Sequence, residues 1–473
     1  MDRIYGATEL GCPYRTEPAL YEMEEGESVY NLDGQDVTLS EEQRKAVDLG
    51  TSTLPIVGIQ AAFGTGKTVV GAIIAARRAH AGKRVVMMAS TNAAVAQFTQ
   101  TLLSLTAYRH LNVLRFVSDA AAQENLTPTP VDMNQILMSL GDEFDAELIE
   151  EEKALCRKFK AGRSVLERYI ENPDLALDMS EEDKEEYAIA ERNVSTTAKK
   201  MMALMYRLRF PDIGCITTAS LLNTLGTPGG ALTDDDSTDD DTEELQESQG
   251  RYQLLIGDKA SQIPEPALAA VSNRMPLAQQ VYIGDVHQPE PHARCHRDSP
   301  AATYGARGVM SVICAARAVP IAPLVRTYRA HPALNELPNR FAYNGELVSG
   351  IHPEDRRMLL DVMRFPTPKV PFMFVDVDGS SKRAHNMSQY NDTELEVCCN
   401  LVRLLTASAI APANICVIAF YKEQYRRAEQ QLAEMGHVPS LIKVPLWNRV
   451  IDWATSLSAV VPHKEISRYF PDV

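Results

Sequence analysis

Five consecutive residues have the types and the spacing of a loop that binds the phosphates of a nucleotide: Gly64, Thr65, Gly66, Lys67 and Thr68. An apolar run at Leu54–Ile59 precedes them and a helical apolar pattern follows, which is the strand–loop–helix context of a P-loop. The two glycines let backbone N–H groups approach phosphate oxygens, and the helix N-terminus adds a favourable dipole. We therefore predict that Lys67 reaches the β- and γ-phosphates of ATP and that Thr68 ligates Mg²⁺.

The first position of the usual G-x-x-x-x-G-K-[ST] pattern is occupied by Ala61 instead of glycine. Alanine fits that position if its φ angle is negative, and it is strained there if φ is positive. The prediction of an intact phosphate-binding loop therefore requires a negative φ angle at this alanine.

Gln43 lies shortly before the P-loop strand, three residues after Ser40 and near the start of a predicted helix. That spacing fits a capping box, in which the two side chains satisfy backbone N–H groups at the helix N-terminus. An amide can also donate to and accept from the edge of an adenine base. The sequence favours Gln43 as an adenine-binding residue and leaves the helix cap as the alternative.

A further buried strand is predicted at Gln253–Gly257, and Asp258 follows it directly. An aspartate that follows an apolar strand downstream of a P-loop holds Mg²⁺, so we predict Asp258 as a metal-binding and catalytic residue. The next residue should be a glutamate that deprotonates the attacking water, but it is Lys259. An ammonium at neutral pH has no lone pair to accept that proton, although it could pair with the γ-phosphate. Impaired hydrolysis is therefore expected, and Glu265 is the first carboxylate to consider if hydrolysis persists.

Two further residues have types that stabilise a transferring phosphoryl group. Gln288 follows the short strand Val281–Ile283 and is predicted to contact the γ-phosphate, with a polar loop as the alternative. Arg329 lies in the segment LVRTYRAHP and is a candidate arginine finger, because a planar guanidinium can neutralise charge on the phosphoryl oxygens.

Ser90, Thr91 and Asn92 follow a buried strand predicted at Arg84–Ala89. Small polar residues at the carboxyl end of a parallel strand lie where α/β sheets bind ligands. The same residue types also cap helix N-termini, and the two roles are compatible.

The bulk composition fits a soluble chain of 473 residues with two to four domains, 45% hydrophobic and 23% charged residues. We find no apolar run long enough to span a bilayer, no secretory signal and no paired spacing among the eight cysteines. These features predict a cytoplasmic or nuclear protein without a membrane partner. The net charge of −16 argues mildly against nucleic-acid binding, but nine acidic residues lie within Asp234–Glu247. A local basic surface therefore remains compatible with the composition.

In this order, the motifs resemble those of the superfamily 1 helicases, and specifically the branch of the nonsense-mediated-decay RNA helicase. The resemblance extends over roughly residues 39–430. It rests on seven matches: Leu39, Gln43, Ala46 and Val47; Gly64 to Thr68; Ala89 to Asn92 with Ala94 and Val95; Asp258 to Gln262 with Glu265 and Pro266, apart from Lys259; Gly284, Asp285, Gln288 and Pro291; Tyr328 to Pro332 with Leu337, Pro338, Phe341, Tyr343, Gly345 and Leu347; and Ile415, Val417, Ile418, Tyr421 and Gln424.

The resemblance implies an α/β fold: a P-loop NTPase with two RecA-like parallel-sheet domains and ATP in the cleft between them. It also implies Mg²⁺ as the cofactor and 5′-to-3′ translocation on single-stranded RNA or DNA. In that family Gln43 would bind adenine, Tyr328 would pack near the base, and Gln288 and Arg329 would sense the γ-phosphate. The segment Ser90-Thr91-Asn92 would contact the nucleic-acid strand.

The expected organisation has five parts: an N-terminal arm at 1–38, a first RecA-like domain at 39–318, a helical insertion within it at 117–212, an acidic disordered loop at 226–250, and a truncated second RecA-like domain at 319–473. The loop or the insertion could bind protein partners. The later motifs of the family do not follow Gln424, and the 49 residues after it are too few for the rest of a RecA-like sheet.

Two functions are compatible with this sequence. One is an ATP-binding, superfamily 1 helicase-like protein that acts on single-stranded RNA or DNA with impaired hydrolysis. The other is a non-catalytic pseudo-helicase, a nucleotide-gated binding or scaffold protein, which Lys259 and the absent motifs favour. A small-molecule P-loop kinase does not explain the motifs of the second domain.

Overall fold

The computed structural model describes residues 28–118, 128–171, 175, 179–224, 252–293, 295–296, 298–436, 440–443 and 460–462. The chain divides into two compact units, Met1–Thr327 and Tyr328–Val473. The predicted acidic loop at 226–250 lies outside the described residues. The domain boundaries proposed from the sequence stay predictions.

The strands of the first unit are β1 (Val29–Leu32), β2 (Gln35–Thr38), β3 (Ile56–Ala61), β4 (Val85–Ala89), β5 (Val113–Arg115), β6 (Ile213–Thr217), β7 (Leu254–Asp258), β8 (Gln279–Gly284), β9 (Ile321–Leu324) and β10 (Arg326–Thr327). Its helices are α1 (Glu41–Thr51), α2 (Lys67–His80), α3 (Asn92–Ser104), α4 (Met133–Glu143), α5 (Glu150–Glu171), α6 (Glu181–Leu208), α7 (Thr218–Thr224), α8 (Glu265–Arg274), α9 (Pro300–Gly305) and α10 (Val309–Ala316). Short 3-10 turns lie at Thr106–Tyr108, Asp145–Glu147 and Ala260–Gln262.

Seven described strands of this unit form one parallel sheet with the order β5-β6-β4-β7-β8-β3-β9. The P-loop strand β3 lies between β8 and β9, and β8 separates it from β7, which ends in Asp258. All of these strands therefore direct their carboxyl ends to one edge of the sheet, where α/β proteins bind ligands. The first unit has the α/β, RecA-like P-loop fold that the sequence predicts.

The central strands are continuous apolar runs because helices cover both faces of the sheet. In β4 every residue is buried, and successive side chains alternate between two cores. Val85, Met87 and Ala89 belong to the core that includes α2 and α3, whereas Val86 and Met88 belong to the core that includes α8 and α10.

The segment between β5 and β6 contains α4, α5 and α6, which pack around their own apolar core. Arg115 on the edge strand β5 joins this helical part to the sheet through a buried ion pair with Asp132. The guanidinium Nε and Nη2 atoms donate to the two carboxylate oxygens at 2.6 and 2.7 Å. The helical insertion is thus attached at the sheet edge.

The second unit contains α11 (Pro332–Phe341), β11 (Val348–Ser349), α12 (Met358–Val362), β12 (Phe374–Asp376), β13 (Lys382–Arg383), β14 (Gln389–Tyr390), α13 (Asp392–Ala407), β15 (Cys416–Ala419), α14 (Lys422–Glu434), β16 (Ser440–Lys443) and β17 (Val460–Pro462), with 3-10 turns at Pro353–Arg356 and Pro412–Asn414. Parallel pairs form between β12 and β17 and between β15 and β16. A small core lies around α13 and α14 and includes Leu395, Val402 and Leu432. The completeness of this unit stays a prediction.

Candidate nucleotide site

The glycine-rich loop joins β3 to α2 and adopts a backbone that needs glycine at two positions. Gly64 has a φ angle of 70° and Gly66 one of 84°, both in the left-handed region. Gly66 is the N-cap residue of α2, and no side chain caps this helix. The first N–H groups of a helix have no intrahelical partner, and the helix dipole is positive there. The loop therefore has the donors and the field that bind an anion.

Ala61, the residue in place of the first motif glycine, is the last residue of β3. It is fully buried, it pairs with Leu324 on β9, and it is not among the non-glycine residues with positive φ. Alanine is therefore unstrained at this position, as the prediction of an intact phosphate-binding loop requires.

Lys67 is the first residue of α2, and its ammonium lies over the loop. The Nζ atom donates to the carbonyl oxygens of Ala61 at 3.0 Å and Ala62 at 3.2 Å. The Thr65 hydroxyl donates to the Ala62 carbonyl at 2.8 Å, whereas the Thr68 hydroxyl has no hydrogen bond among the described residues. The positive charge of Lys67 thus lies within the loop, and the Thr68 oxygen is free to bind a cation.

Asp258 is the last residue of β7 and is buried, with 1% of its surface exposed. Neither carboxylate oxygen has a hydrogen-bond partner among the described residues. Burial raises the pKa of this carboxyl, while the charges of Lys259 and Lys67 oppose the shift. Unpartnered buried carboxylate oxygens are rare in folded proteins because desolvation is costly, and a hard divalent cation is a partner that fits them.

The residues present therefore fit a magnesium ion, with Asp258 and Thr68 as the side chains that would hold it. Mg²⁺ is usually bound by one or two protein oxygens together with water and substrate phosphates. Accordingly, in the described part of the chain no group of three or more His, Cys, Asp or Glu side chains could hold a metal ion.

Lys259 adopts the left-handed backbone conformation, with φ 50° and ψ 43°, and begins the 3-10 turn at Ala260–Gln262. Its ammonium donates to the side-chain oxygen of Gln97 on α3 at 3.2 Å. The residue at the position of the missing base thus contacts the outer side of a neighbouring helix.

Glu265, the other carboxylate considered from the sequence, is held in an ion pair. The Nε and Nη2 atoms of Arg307 donate to its two oxygens at 2.9 and 2.8 Å, and the Glu265 residue is 8% exposed. Sequence reasoning missed this partner, which lies 42 residues away. Both oxygens of the Glu265 carboxylate are therefore engaged by a guanidinium.

Gln43 makes both the cap contact and a contact to the loop. Its side-chain oxygen accepts from the Ser40 N–H at 2.9 Å, and the Ser40 hydroxyl accepts from the Gln43 N–H at 3.3 Å, which forms a capping box. The amide nitrogen donates to the Thr65 carbonyl at 3.0 Å. A Cβ atom at Gly66 would lie only 2.7 Å from that nitrogen. Gln43 therefore supports the loop directly, and its contact with adenine stays a prediction.

The loop after β8 is tied to the P-loop strand by a buried carboxylate that sequence reasoning did not assign to the site. Asp285 is fully buried and accepts from the side chains of Gln60 and Gln288 and from the His287 N–H, each at 3.1 Å. Gln60 in turn accepts from the Val286 N–H at 3.1 Å. A glutamine inside the otherwise apolar strand β3 was the available signal. The amide of Gln288 is thus oriented by Asp285.

The polar segment after β4 caps a helix and also contacts the turn that contains Lys259. The Thr91 hydroxyl accepts from the Ala94 N–H at 3.2 Å and is the N-cap of α3. The Ser90 hydroxyl donates to the Gln262 carbonyl at 2.9 Å. Ser90 and Thr91 are exposed and Asn92 is half-buried, and their contact with a nucleic-acid strand stays a prediction.

Tyr328 and Arg329 belong to the second unit, whereas the other predicted site residues belong to the first. They lie just before α11, where Arg356 donates to the Tyr328 carbonyl at 3.3 Å and to the Arg329 carbonyl at 3.4 Å. Their predicted roles at the base and at the γ-phosphate stay predictions. None of the described helices is long and apolar enough to cross a membrane.

Comparison with known proteins finds similarity to helicases. The family model AAA_12, described as an AAA domain, matches residues 307–445. An uncharacterized ATP-dependent helicase of Caenorhabditis elegans is 29% identical over 184 residues, which is 38% of this chain and 12% of that protein. The Regulator of nonsense transcripts 1 homolog of Drosophila melanogaster is 25% identical over 389 residues, 82% of this chain and 28% of that protein. The 5′-3′ DNA helicase ZGRF1 of Mus musculus is 28% identical over 194 residues, 40% of this chain and 10% of that protein.

The similar region is thus 28% or less of the length of each of these three relatives. A second Regulator of nonsense transcripts 1, from Dictyostelium discoideum, also matches over 84% of this chain. The order of the motifs, the parallel sheet with its P-loop and these similarities agree with one another. Together they support a likeness to the superfamily 1 helicases, in the branch that contains the regulators of nonsense transcripts 1.

Proposed function

We propose that this chain binds ATP with Mg²⁺ and a single strand of RNA or DNA, as a helicase-like protein with impaired hydrolysis. The observation that carries the proposal is the buried Asp258 carboxylate, whose two oxygens lack partners in the fold. A folded chain tolerates such a group most readily where a ligand satisfies it. The adjacent loop supplies uncapped helix N–H groups and the Lys67 ammonium for the phosphates.

Each first-unit residue has a role that follows from its contacts. The α2 N-terminus and Lys67 bind the phosphates, and Gln43 holds the loop through the Thr65 carbonyl. Asp258 and Thr68 hold Mg²⁺, which when bound neutralises charge on the phosphate oxygens. Asp285 fixes the amide of Gln288 for a contact with the terminal phosphate.

Hydrolysis lacks its proton acceptor. Lys259 occupies the position of the base and donates to Gln97, and Glu265 is bound by Arg307 on both oxygens. A positioned general base typically contributes about 10²–10⁴-fold to the rate of such a step. We therefore expect nucleotide binding with turnover reduced by about that factor.

The same contacts support a second function, a pseudo-helicase whose strand affinity depends on the bound nucleotide. In that case ATP acts by stabilising one state of the protein, and no hydrolysis is required. A nucleotide-dependent change in strand affinity without turnover would favour this function. Whether the strand is RNA or DNA is decided by assaying both, since the relatives' names include regulators of nonsense transcripts and a DNA helicase.

The experiment is ATP turnover by the purified chain and by Lys259→Glu, each with and without single-stranded RNA or DNA, with nucleotide binding measured in the same samples. We expect the parent to bind ATP without appreciable turnover and Lys259→Glu to gain turnover when the strand is present at saturating concentration. Lys67→Ala serves as the control that should lose binding. Turnover by the parent at the rate of an active helicase would contradict impaired hydrolysis, and absence of nucleotide binding would contradict the proposal as a whole.

A further inference from the structure

Lys259 lies on the surface that carries Ser90 and Thr91. Its ammonium donates to Gln97, which lies on the exposed side of α3, one and a half turns after Thr91 caps that helix. The 3-10 turn that follows Lys259 is bound to the same surface, because the Ser90 hydroxyl donates to the Gln262 carbonyl at 2.9 Å. The left-handed backbone at Lys259 is therefore held between β7 and the start of α3.

The Lys259 ammonium has N–H groups that are available to a ligand. Of its three N–H groups one is used by Gln97, and among the described residues it forms no ion pair. The adjacent carboxylate of Asp258 is buried and forms no ion pair with the ammonium, although its charge attracts it. Lys259 itself is half-exposed, which leaves the remaining donors within reach of a ligand from solvent.

The surroundings of this ammonium favour an anion. The neighbouring side chains of Ser90, Thr91, Asn92 and Gln97 are polar and neutral, and α3 has no acidic residue in its first turn. The acidic neighbour is Asp258, which is buried beneath this surface. The N-terminus of this 13-residue helix adds positive potential beside the Lys259 charge. A phosphate group with hydroxyl and amide donors around it is the ligand that such a surface fits.

We propose that Lys259 is a strand-binding residue whose ammonium contacts a backbone phosphate of a single-stranded nucleic acid next to Ser90–Asn92. The inference rests on the proposed function, because it places the contact on the strand proposed to bind there. The lysine that stands at position 259 in place of the expected glutamate thus removes the hydrolytic base and also adds a charged contact to the strand. Since a phosphodiester is common to RNA and DNA, both kinds of strand should use it.

The test compares Lys259→Gln, Lys259→Arg and the parent in strand binding over a series of salt concentrations, with fluorescently labelled single-stranded RNA and DNA. Loss of one phosphate contact to a single strand lowers the slope of log affinity against log salt by about 0.7. When the salt concentration falls from 1 M to 0.1 M, the variant should therefore gain about fivefold less affinity for the strand than the parent gains. We expect this loss in Lys259→Gln, retention of the slope in Lys259→Arg, and unchanged ATP affinity in both.

Lys83→Gln is the matched control, because it removes the same charge from an exposed residue at the opposite end of β4. It should leave both the affinity and the salt slope unchanged. A Lys259→Gln variant that melts like the parent and keeps the parent's salt slope would overturn the inference while leaving the proposed function intact. A fall in ATP affinity with unchanged strand affinity would also overturn it and would assign the ammonium to the nucleotide. A parent that binds neither strand would refute the proposed strand binding itself.

Discussion

The Asp258 carboxylate is held at the end of β7 without a hydrogen-bond partner, and this arrangement lowers the stability of the fold in the absence of ligand. A buried polar group left unsatisfied destabilises a fold by about 1–3 kcal/mol. Burial raises the pKa of this carboxyl above its usual value, so the folded chain binds the proton more readily than the unfolded chain. Its contribution to stability therefore falls as pH rises from about 4, the unfolded pKa, through the raised folded pKa.

Asp258→Asn should accordingly stabilise the ligand-free protein at pH 7, because it removes the buried charge. We expect the Tm to rise by about 2–4 °C for each kcal/mol recovered, and to change less near pH 4, where the folded carboxyl is already protonated. Thermal melting at the two pH values measures this.

Asp285→Asn is the matched control for that measurement. Asp285 is also buried, but its carboxylate accepts three hydrogen bonds, so its replacement should lower the Tm. A fall in Tm for Asp258→Asn like that of the control would mean that the Asp258 carboxylate has a partner in the fold.

Residue types and spacing were sufficient to single out the glycine-rich loop and Asp258, and the structure places these residues after β3 and at the end of β7. Their binding of phosphates and of a cation stays a prediction. The partners of these residues could not be predicted in the same way. Gln60 meets Asp285 across 225 residues, and Arg307 meets Glu265 only after β8 and α8 have packed. Such pairs depend on tertiary structure, which a single sequence does not specify locally.

At the scale of elements, α1 connects the loop to the last residues of the first unit. Gln43 holds the Thr65 carbonyl, and its neighbour Glu42 accepts from the N–H groups of Val325 and Arg326 at 3.1 and 3.2 Å. Val325 is the residue just after β9 and Arg326 is the first residue of β10, immediately before the boundary between the units. One turn of α1 thus fixes both the phosphate-binding loop and the strand that leads into the second unit.

Glu42→Ala should loosen that strand end. A hydrogen bond to a charged group contributes about 1.5–3 kcal/mol, so we expect amide hydrogen exchange at Val325 and Arg326 to accelerate roughly tenfold or more. Hydrogen exchange followed by mass spectrometry on a peptide that includes β9 measures the effect, and Glu42→Gln should show a smaller one.

Glu41→Ala is the control for this measurement, because Glu41 is exposed and forms its ion pair with Lys45 on the same helix. Equal exchange in Glu41→Ala and Glu42→Ala would show that the Glu42 carboxylate does not hold the strand.

The strands that surround the site were visible in the sequence as short apolar runs, because both faces of a parallel sheet are buried. Predicted strands at Arg84–Ala89 and Gln253–Gly257 agree with β4 and β7 to within one residue. The hairpin of β1 and β2 was missed, since its strands are mostly polar. Its signal was Asp33-Gly34, whose positive φ angles of 46° and 89° form the turn.

For the whole molecule, the net charge of −16 said little about partners, because charge acts locally at a binding surface. The surface around Lys259 illustrates this, since one ammonium and a helix N-terminus lie among exposed neutral side chains, with the Asp258 carboxylate buried beneath. The order of motifs along the chain predicted the α/β fold and the family. The arrangement of the two units depends on contacts that no local pattern encodes.

We propose that Asp258 and the P-loop bind ATP and Mg²⁺ jointly. The most direct test is equilibrium titration of the purified chain with ATP, with and without Mg²⁺, beside Asp258→Asn. We predict that the parent binds ATP at least about tenfold more tightly with Mg²⁺, a coupling of about 1.4 kcal/mol, and that Asp258→Asn loses this dependence. Magnesium dependence that is unchanged in Asp258→Asn, or no ATP binding by the parent, would contradict the account.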